Sequence, residues 1–151
     1  MTHSFCSPIG TVRLTEEDGA ITLIELIDAA DISTAPTLLL HEVALQILDF
    51  LDGKRQLLDF PIRMVGTPFQ QRVWRALQQI PYGTTRTYGE IAAAVGNPRA
   101  SRAVGMACNK NPLLLIVPCH RVVGVNGKLI GFAYGTAAKR WLLELEKYNS
   151  L

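Results

Sequence analysis

Cys119 has the clearest capacity for covalent chemistry in this sequence, because it stands in Pro118-Cys119-His120-Arg121 directly after an apolar run. A cysteine reacts as its thiolate, so it needs a lowered pKa or a neighbouring base. His120 is such a base, but adjacent side chains of an extended segment point to opposite faces. A bend or a water relay is therefore needed between them. Glu146 could orient the imidazole in a Cys–His–acid arrangement.

Two other interpretations of Cys119 stay open on the residues alone. A lone cysteine after an apolar run is commonly a buried packing residue, and we interpret Cys6 and Cys108 in that way. Cys119 and His120 could instead be half of a metal site. The three cysteines include no Cys-x-x-Cys pair, however, and the other histidines are far away in sequence. We therefore expect no metal and no cofactor.

Helices with clear start and stop signals are predicted around this cysteine. Thr67-Pro68-Phe69-Gln70 and Thr87-Tyr88-Gly89-Glu90 each match a helix capping box. Gly96 is predicted to stop the second helix, and Asn97-Pro98 to begin a third that runs to about Cys108. Two short helices joined by a glycine-containing turn resemble a helix-turn-helix.

The remaining elements are predicted from apolar patterns. Residues 113–117 predict a buried strand that delivers Cys119, and the last helix is predicted to begin near Thr136. Earlier in the chain, alternating apolar residues on both sides of Asp18-Gly19 predict a hairpin. Pro36 is predicted to open a helix through Leu51, and residues 57–64 a further strand.

These elements predict an α/β (α+β) fold. A small N-terminal strand–helix domain, residues 1–65, is joined to a mainly helical C-terminal domain with a helix-turn-helix, residues 66–151. We see no catalytic cluster in the first domain and expect it to be structural. The second domain holds Cys119, His120 and Glu146 and is therefore expected to carry the chemistry.

Charge is divided unevenly along the 151 residues, whose formal net charge is +2. Residues 1–65 carry four Lys and Arg against ten Asp and Glu, a net of −6, and residues 66–151 carry 11 against three, a net of +8. A basic half favours a polyanionic partner, although a solvated basic face is the commoner explanation. No apolar run reaches about 18 residues, and the N-terminus does not resemble a secretory signal. We therefore expect a reducing, cytoplasmic setting.

The segment 99–107 is unusually rich in small residues for a helix that reads bases in the major groove, where long polar side chains are normal. Ala103 and Gly105 would permit close backbone approach in a narrower space, such as the minor groove. A tightly packed core helix explains the same composition equally well. Both interpretations stay open.

Residues 67–147 resemble the O6-alkylguanine-DNA alkyltransferases, also called methylated-DNA–protein-cysteine methyltransferases. The resemblance rests on Pro118-Cys119-His120-Arg121 followed by Val122-Val123, and on further matching segments in the same order. These are residues 69–74, 80–83, 87–88, 96–98, 102–105, 111–112 and 141–143. In the first half only the start Ser7-Pro8-Ile9-Gly10 and the general layout are similar.

The resemblance implies DNA repair by direct reversal of damage, with residues 66–151 as the DNA-binding and alkyltransferase domain. Cys119 would attack the alkyl carbon of O6-alkylguanine and keep the alkyl group, so that one protein molecule repairs one lesion. His120 would deprotonate Cys119 through a water, with Glu146 behind it. Asn111 would bridge the loops around the site by hydrogen bonds.

The resemblance also implies how double-stranded DNA is held by a monomer. Tyr88 would donate to guanine N3 and crowd the flanking phosphate, and Arg102 would enter the stack in place of the extruded base. O6 of guanine lies inside the duplex, so direct attack requires such flipping. The other expected DNA contacts are Ser101, Ala103 and Gly105, and the expected pocket residues are Pro118, Val122, Ala133 and Tyr134.

The loop after the active site departs from the family pattern. Phe132 stands where Tyr is expected and Tyr134 where Gly is usual, so Tyr134 either narrows the pocket or points outward. Two other functions compete with alkyl transfer: a non-catalytic protein that binds alkyl lesions, and a cysteine hydrolase that uses Cys119 and His120. Cys119 disfavours the first, and the basic helix-turn-helix is unnecessary for the second.

Overall fold

In the computed structural model, a three-stranded antiparallel sheet forms near the start of the chain. Its strands are β1 (Thr2–Ser7), β2 (Gly10–Glu17) and β3 (Ala20–Ile27), in the order β1-β2-β3. Asp18 and Gly19 have φ values of 51° and 77°, as a two-residue hairpin turn requires. The predicted hairpin is confirmed, and β1 is a strand that the sequence analysis missed.

Helix α1 (Leu38–Leu51) packs on this sheet. The Thr37 side chain accepts a hydrogen bond from the Leu40 amide, 3.1 Å away, and so satisfies one of the free amides at the helix start. The predicted start at Pro36 was therefore too early, whereas the end at Leu51 is confirmed. The buried apolar core of helix and sheet includes Phe5, Val12, Leu14, Ile21, Ile24, Leu40, Val43, Ile47 and Phe50.

Residues 57–64 do not form the predicted strand. They are irregular and meet the sheet at one bridge, where the Ile21 amide donates to the Pro61 carbonyl at 2.9 Å and the Arg63 amide donates to the Ile21 carbonyl at 3.0 Å. Pro61 has no amide hydrogen with which to extend a ladder. None of residues 57–64 is buried, and Leu57 is 77% exposed. The apolar pattern of this segment therefore did not indicate a strand.

The second part of the chain is mainly helical. Its helices are α2 (Pro68–Gln78), α3 (Tyr88–Ala94), α4 (Ser101–Asn109) and α5 (Thr136–Asn149). Strands β4 (Arg86–Thr87) and β5 (Val122–Val123) form a short parallel pair. Both predicted capping boxes, at the starts of α2 and α3, are confirmed, as is the start of the last helix at Thr136.

The predicted start of the third helix at Asn97-Pro98 was wrong. The amides of Gly96 and Asn97 donate to the carbonyls of Ala93 and Ala92, both at 3.0 Å, and Gly96 has φ 86°. This pair of bonds around a left-handed glycine closes the end of a helix. Asn97 thus completes the end of α3, and α4 begins only at Ser101. The two helices pack together as the predicted helix-turn-helix.

Trp74 connects α2 to α4 by a buried hydrogen bond. Its side chain is buried, and its Nε1 donates to the Ala107 carbonyl at 2.9 Å. On α4, Val104, Ala107 and Cys108 are buried, whereas Arg102 is exposed. One face of α4 is therefore packed, as the core-helix interpretation expects, and the other is open. Close approach to a minor groove stays a prediction.

The structure describes residues 1–28 and 36–151, which combine a small antiparallel sheet with five α-helices and so confirm the α+β class. These residues fall into two compact units, Met1–Val65 and Gly66–Leu151. Within them, no helix has both the length and the apolar character that a membrane crossing requires.

Candidate active site

The apolar run before Cys119 is a buried turn, so the predicted strand over residues 113–117 was wrong. The Val117 amide bonds back to the Leu113 carbonyl at 3.0 Å. Leu115 has φ 75°, a left-handed conformation that costs a side-chain-bearing residue about 1–2 kcal/mol. Cys119–Arg121 then form one turn of 3-10 helix. The extended geometry expected between Cys119 and His120 is therefore replaced by a bend.

Cys119 is the first residue of this 3-10 turn, and 5% of its surface is exposed. Asn111 Nδ2 donates to Cys119 Sγ at 3.2 Å and to the Val117 carbonyl at 2.8 Å, and Asn111 Oδ1 accepts from the Leu113 amide at 2.9 Å. Burial raises the pKa of the Cys119 thiol, and the Asn111 hydrogen bond and the Lys139 charge oppose that rise. The resting group is a protonated thiol that needs a base.

His120 is fully buried next to Cys119 in sequence, and its Nε2 lies 2.5 Å from Glu146 Oε2. Burial lowers the pKa of His120, although Glu146 opposes this. We assign a neutral imidazole whose Nε2–H is donated to the carboxylate, which leaves Nδ1 as an acceptor. In the described residues Nδ1 is buried without a hydrogen-bond partner. The geometry thus holds a free imidazole lone pair in the site.

Arg121 holds the same carboxylate from the other side. Its Nε donates to Glu146 Oε1 at 2.8 Å and its Nη2 to Oε2 at 3.0 Å, while Nη1 donates to the Ile80 carbonyl at 2.8 Å. Burial by itself raises the pKa of Glu146, but the hydrogen bonds from His120 and Arg121, together with the Arg121 charge, lower it to about 2. Glu146 is therefore a carboxylate at neutral pH.

The turn after α2 completes the surroundings of Glu146. The Gly83 amide donates to Glu146 Oε1 at 3.1 Å. A Cβ atom at Gly83 would lie 2.0 Å from the Ser150 hydroxyl oxygen, and the backbone there has φ 79°. Only glycine fits this close approach, so the turn places a backbone amide where a side chain could not be tolerated.

Lys139 is a site residue that the sequence analysis missed. It is fully buried on α5, and its Nζ donates to the Ile130 carbonyl at 2.7 Å and to Tyr88 Oη at 3.5 Å. Its spacing with Leu142 and Glu146, the other buried residues of α5, is three and seven positions. That helical spacing is the sequence signal that could have found it.

Arg121 was missed as well, although it belongs to the quoted motif. It stands between His120 and the apolar pair Val122-Val123, in a segment that is mostly apolar. Arginine is almost never fully buried unless it is paired. Its position in the apolar segment was thus a signal for a buried partner, which the structure shows to be Glu146.

A cavity of about 280 Å³ opens beside Tyr88. The cavity brings together four residues expected at the DNA and two residues of the loop before α5. It is lined by Tyr88, Ser101, Arg102, Gly105, Ile130 and Gly131. Ala103, also expected at the DNA, is half-buried on α4 outside this lining.

The four expected pocket residues do not line this cavity. Pro118 and Val122 are buried, and Ala133 is exposed. Tyr134 is half-buried, and its ring meets the Phe132 ring edge-on with centroids 5.7 Å apart. Tyr134 therefore packs against Phe132 of its own loop.

The three cysteines are free thiols. Cys108 is buried, which confirms its interpretation as a packing residue, and burial raises its pKa to about 12. Cys6 is exposed, so that interpretation was wrong for it: side chains alternate along β1, and Phe5 takes the core face. Residues 1–28 and 36–151 contain no group of three or more His, Cys, Asp or Glu placed to hold a metal ion.

Comparison with known proteins identifies close similarity over the whole chain. Residues 68–148 match the family model described as 6-O-methylguanine DNA methyltransferase, DNA binding domain. The chain is 44% identical to the methylated-DNA–protein-cysteine methyltransferase of Methanosarcina acetivorans over 148 residues, covering 94% of this chain and 95% of the relative. It is 43% identical to the Mycobacterium leprae protein of that name over 154 residues, covering 99% and 93%.

Solved structures give the same result. A crystal structure of Mycobacterium tuberculosis O6-methylguanine methyltransferase aligns with a TM-score of 0.88 at 41% identity, covering 99% of this chain and 94% of that chain. The Mycobacterium tuberculosis protein OGT, crystallised in complex with DNA, aligns with a TM-score of 0.90 at 41% identity, covering 98% and 93%.

Proposed function

The chain belongs to the methylated-DNA–protein-cysteine methyltransferase family, and on this premise we propose that it repairs O6-alkylguanine in duplex DNA by moving the alkyl group onto Cys119, once and irreversibly. The observation that carries this proposal is the constellation around Cys119. A buried thiol accepts a hydrogen bond from Asn111, and the adjacent His120 is held by Glu146 with Nδ1 unpartnered in the described residues.

The chemical step that we propose uses the lesion as its own alkyl donor. His120 Nδ1 takes the Cys119 proton through one water, since no direct hydrogen bond joins the two side chains among the described residues. The thiolate attacks the alkyl carbon in line, the S–C bond forms and the C–O6 bond breaks. The electron pair leaves with guanine, which also receives the proton, so no further reactant is consumed. The thioether has no leaving group for the reverse reaction, so each molecule reacts once.

We propose that Glu146 and Arg121 act on this step through His120. The carboxylate fixes the imidazole tautomer and stabilises the imidazolium that forms when the thiol loses its proton. Arg121 keeps that carboxylate ionised in a buried place. Asn111 would stabilise the thiolate, because the hydrogen bond that it donates to Cys119 Sγ becomes stronger as negative charge develops on the sulfur.

We propose that duplex DNA contacts the open face of α4 and that the damaged nucleotide flips toward the cavity beside Tyr88. The exposed Arg102 lines this cavity, so it could enter the base stack while the extruded base turns inward. The relative crystallised with DNA supports DNA as the partner, and the net charge of +8 on residues 66–151 suits a polyanion. Residues 1–65 would be the structural domain.

A monomer in the cytoplasm is part of this proposal. Each molecule carries its own acceptor, so no second subunit is needed for the chemistry. The acceptor must stay reduced until a lesion arrives, and the reducing cytoplasm meets that need. The three cysteines are free in the structure, as this requires.

Mass spectrometry after incubation with a duplex that contains one O6-methylguanine tests the proposed function. We expect a single methyl-group increment per protein molecule, and peptide mapping should place it on Cys119. The matched duplex with unmodified guanine is the control. An increment on Cys6 or Cys108, or release of product beyond one equivalent as a hydrolase would give, would contradict the proposal.

Replacing Arg102 by alanine is expected to slow repair of duplex DNA far more than attack on the free base O6-benzylguanine. The side chain would fill the gap left by the flipped base, whose extrusion costs a few kcal/mol. We therefore expect at least about a tenfold loss on duplex DNA and little change on the free base, measured as single-turnover rates. Arg140→Ala, which removes an exposed charge from α5, controls for net charge. Equal losses on both substrates would exclude a role in the base stack.

A further inference from the structure

We infer that Lys139 is a positioning residue that frees the Tyr88 hydroxyl for the flipped base; this rests on the proposed function. Lys139 is fully buried, yet none of the described carboxylates forms an ion pair with it. Lysine is almost never fully buried unless it is paired. Its hydrogen bonds are instead to the Ile130 carbonyl and Tyr88 Oη. A buried ammonium bound in this way indicates a specific task for those two groups.

The Ile130 carbonyl is shared by two donors. Tyr88 Oη donates to it at 2.5 Å and Lys139 Nζ donates to it at 2.7 Å. A carbonyl oxygen has two lone pairs and can accept both bonds. In this structure the Tyr88 hydroxyl is therefore committed to the protein, and it must leave the carbonyl before it can donate to a purine.

Lys139 acts both on the carbonyl that Tyr88 would leave and on the bond that the Tyr88 hydroxyl would donate next. Its hydrogen bond to the Ile130 carbonyl would remain when Tyr88 leaves, so the carbonyl would still accept one hydrogen bond from the protein. Its contact with Tyr88 Oη at 3.5 Å, and the 5.6 Å between Nζ and the Tyr88 ring centroid, place a positive charge beside the phenol. A donor to the phenol oxygen polarises its O–H and strengthens the bond that this O–H donates next.

The loop that carries the carbonyl approaches Tyr88 as closely as its backbone permits. A Cβ atom at Gly131 would lie 2.2 Å from Tyr88 Oη, so a side chain there would push the loop away. Lys139 binds this loop from α5. The lysine thereby fixes the distance between Tyr88 and the carbonyl that it must exchange for the substrate.

Two rates measured on the same variants test this role. The first is single-turnover methyl transfer from saturating O6-methylguanine duplex, which would use Tyr88. The second is alkylation of Cys119 by iodoacetamide at the same pH, which needs the thiolate but no purine donor. We expect Lys139→Met to slow the first by roughly tenfold more than the second, the loss of about one hydrogen bond. In a Tyr88→Phe background, Lys139→Met should slow the two reactions by the same factor.

The controls separate this role from electrostatics and from folding. Lys147→Met removes an exposed charge from the same helix and should change neither rate. Should Lys139→Met fail to fold, Lys139→Gln gives the same comparison with a polar group retained. Equal slowing of both reactions would assign Lys139 to thiolate stabilisation. An undiminished effect of Lys139→Met in the Tyr88→Phe background would show that Lys139 does not act through Tyr88. Either result overturns the inference. Failure of the wild type to methylate Cys119 would instead refute the proposed function.

Discussion

Cys119→Ala should bind DNA that contains O6-methylguanine with the affinity of the wild type and transfer no methyl group to itself. The proposed reaction has a single acceptor atom, Cys119 Sγ. Cys108 is also a buried free thiol, but burial raises its pKa to about 12, so it stays protonated. Alanine removes the acceptor atom from a position that is almost wholly enclosed. Binding would rest on the open face of α4 and on charge, which the substitution leaves unchanged. Electrophoretic mobility shift and radiolabelled methyl transfer measure the two properties separately.

Cys6→Ala is the matched control for this experiment. Cys6 is exposed on β1, and its loss should leave both binding and transfer at the level of the wild type. Transfer that survives in Cys119→Ala would move the acceptor elsewhere and end the proposal. Binding that disappears together with transfer would show that the thiol contributes to recognition of the lesion, which the proposal does not allow.

Glu146→Gln is expected to reduce both stability and activity strongly. The amide removes the charge that pairs with the buried Arg121, and breaking a buried ion pair on one side typically costs about 3–5 kcal/mol. It also takes from His120 the partner that fixes its tautomer. We expect transfer to slow by roughly 10²–10⁴-fold, the usual contribution of a general base. Denaturant unfolding and single-turnover transfer at low temperature measure these two effects.

The same substitution has a predictable pH dependence. The pKa of Glu146 is lowered from 4.5 to about 2 in the folded protein, so its stabilising contribution is complete above the unfolded pKa and disappears as pH falls from 4.5 toward 2. The stability difference between wild type and Glu146→Gln should shrink across that window. Glu144→Gln changes an exposed carboxylate of the same helix and should show no such window. A difference that is constant with pH would refute the ionised, buried carboxylate.

Local signals in the sequence were sufficient for two helix starts and for the hairpin turn. The capping boxes beginning at Thr67 and Thr87 involve residues three positions apart, and both form as predicted. The Asp18-Gly19 turn is equally local. His120 and Glu146, by contrast, are 26 positions apart, so no local signal joins them. The chemistry of Cys–His–acid sites and the family resemblance suggested the pair before the structure showed their contact.

Apolar runs and single charges were less informative. Residues 113–117 are apolar because they are enclosed by the protein, and enclosure alone does not distinguish a strand from a turn. The first strand, Thr2–Ser7, mixes polar and apolar residues, so its own pattern did not predict a strand. It forms a strand because it pairs with β2. Lys139 was missed, because its partners Tyr88 and Ile130 belong to other segments of the chain.

The indole of Trp74 has a thermodynamic consequence for recognition. Because its N–H reaches the Ala107 carbonyl inside α4, the helix that would meet DNA is ordered before any DNA arrives. Ordering its nine residues would otherwise cost on the order of 10 kcal/mol at about 1–2 kcal/mol of backbone entropy each. That entropy is lost when the chain folds. The contacts of a preorganised α4 can therefore contribute to DNA binding without first offsetting the cost of ordering the helix. This matters for a protein that must also extrude a nucleotide.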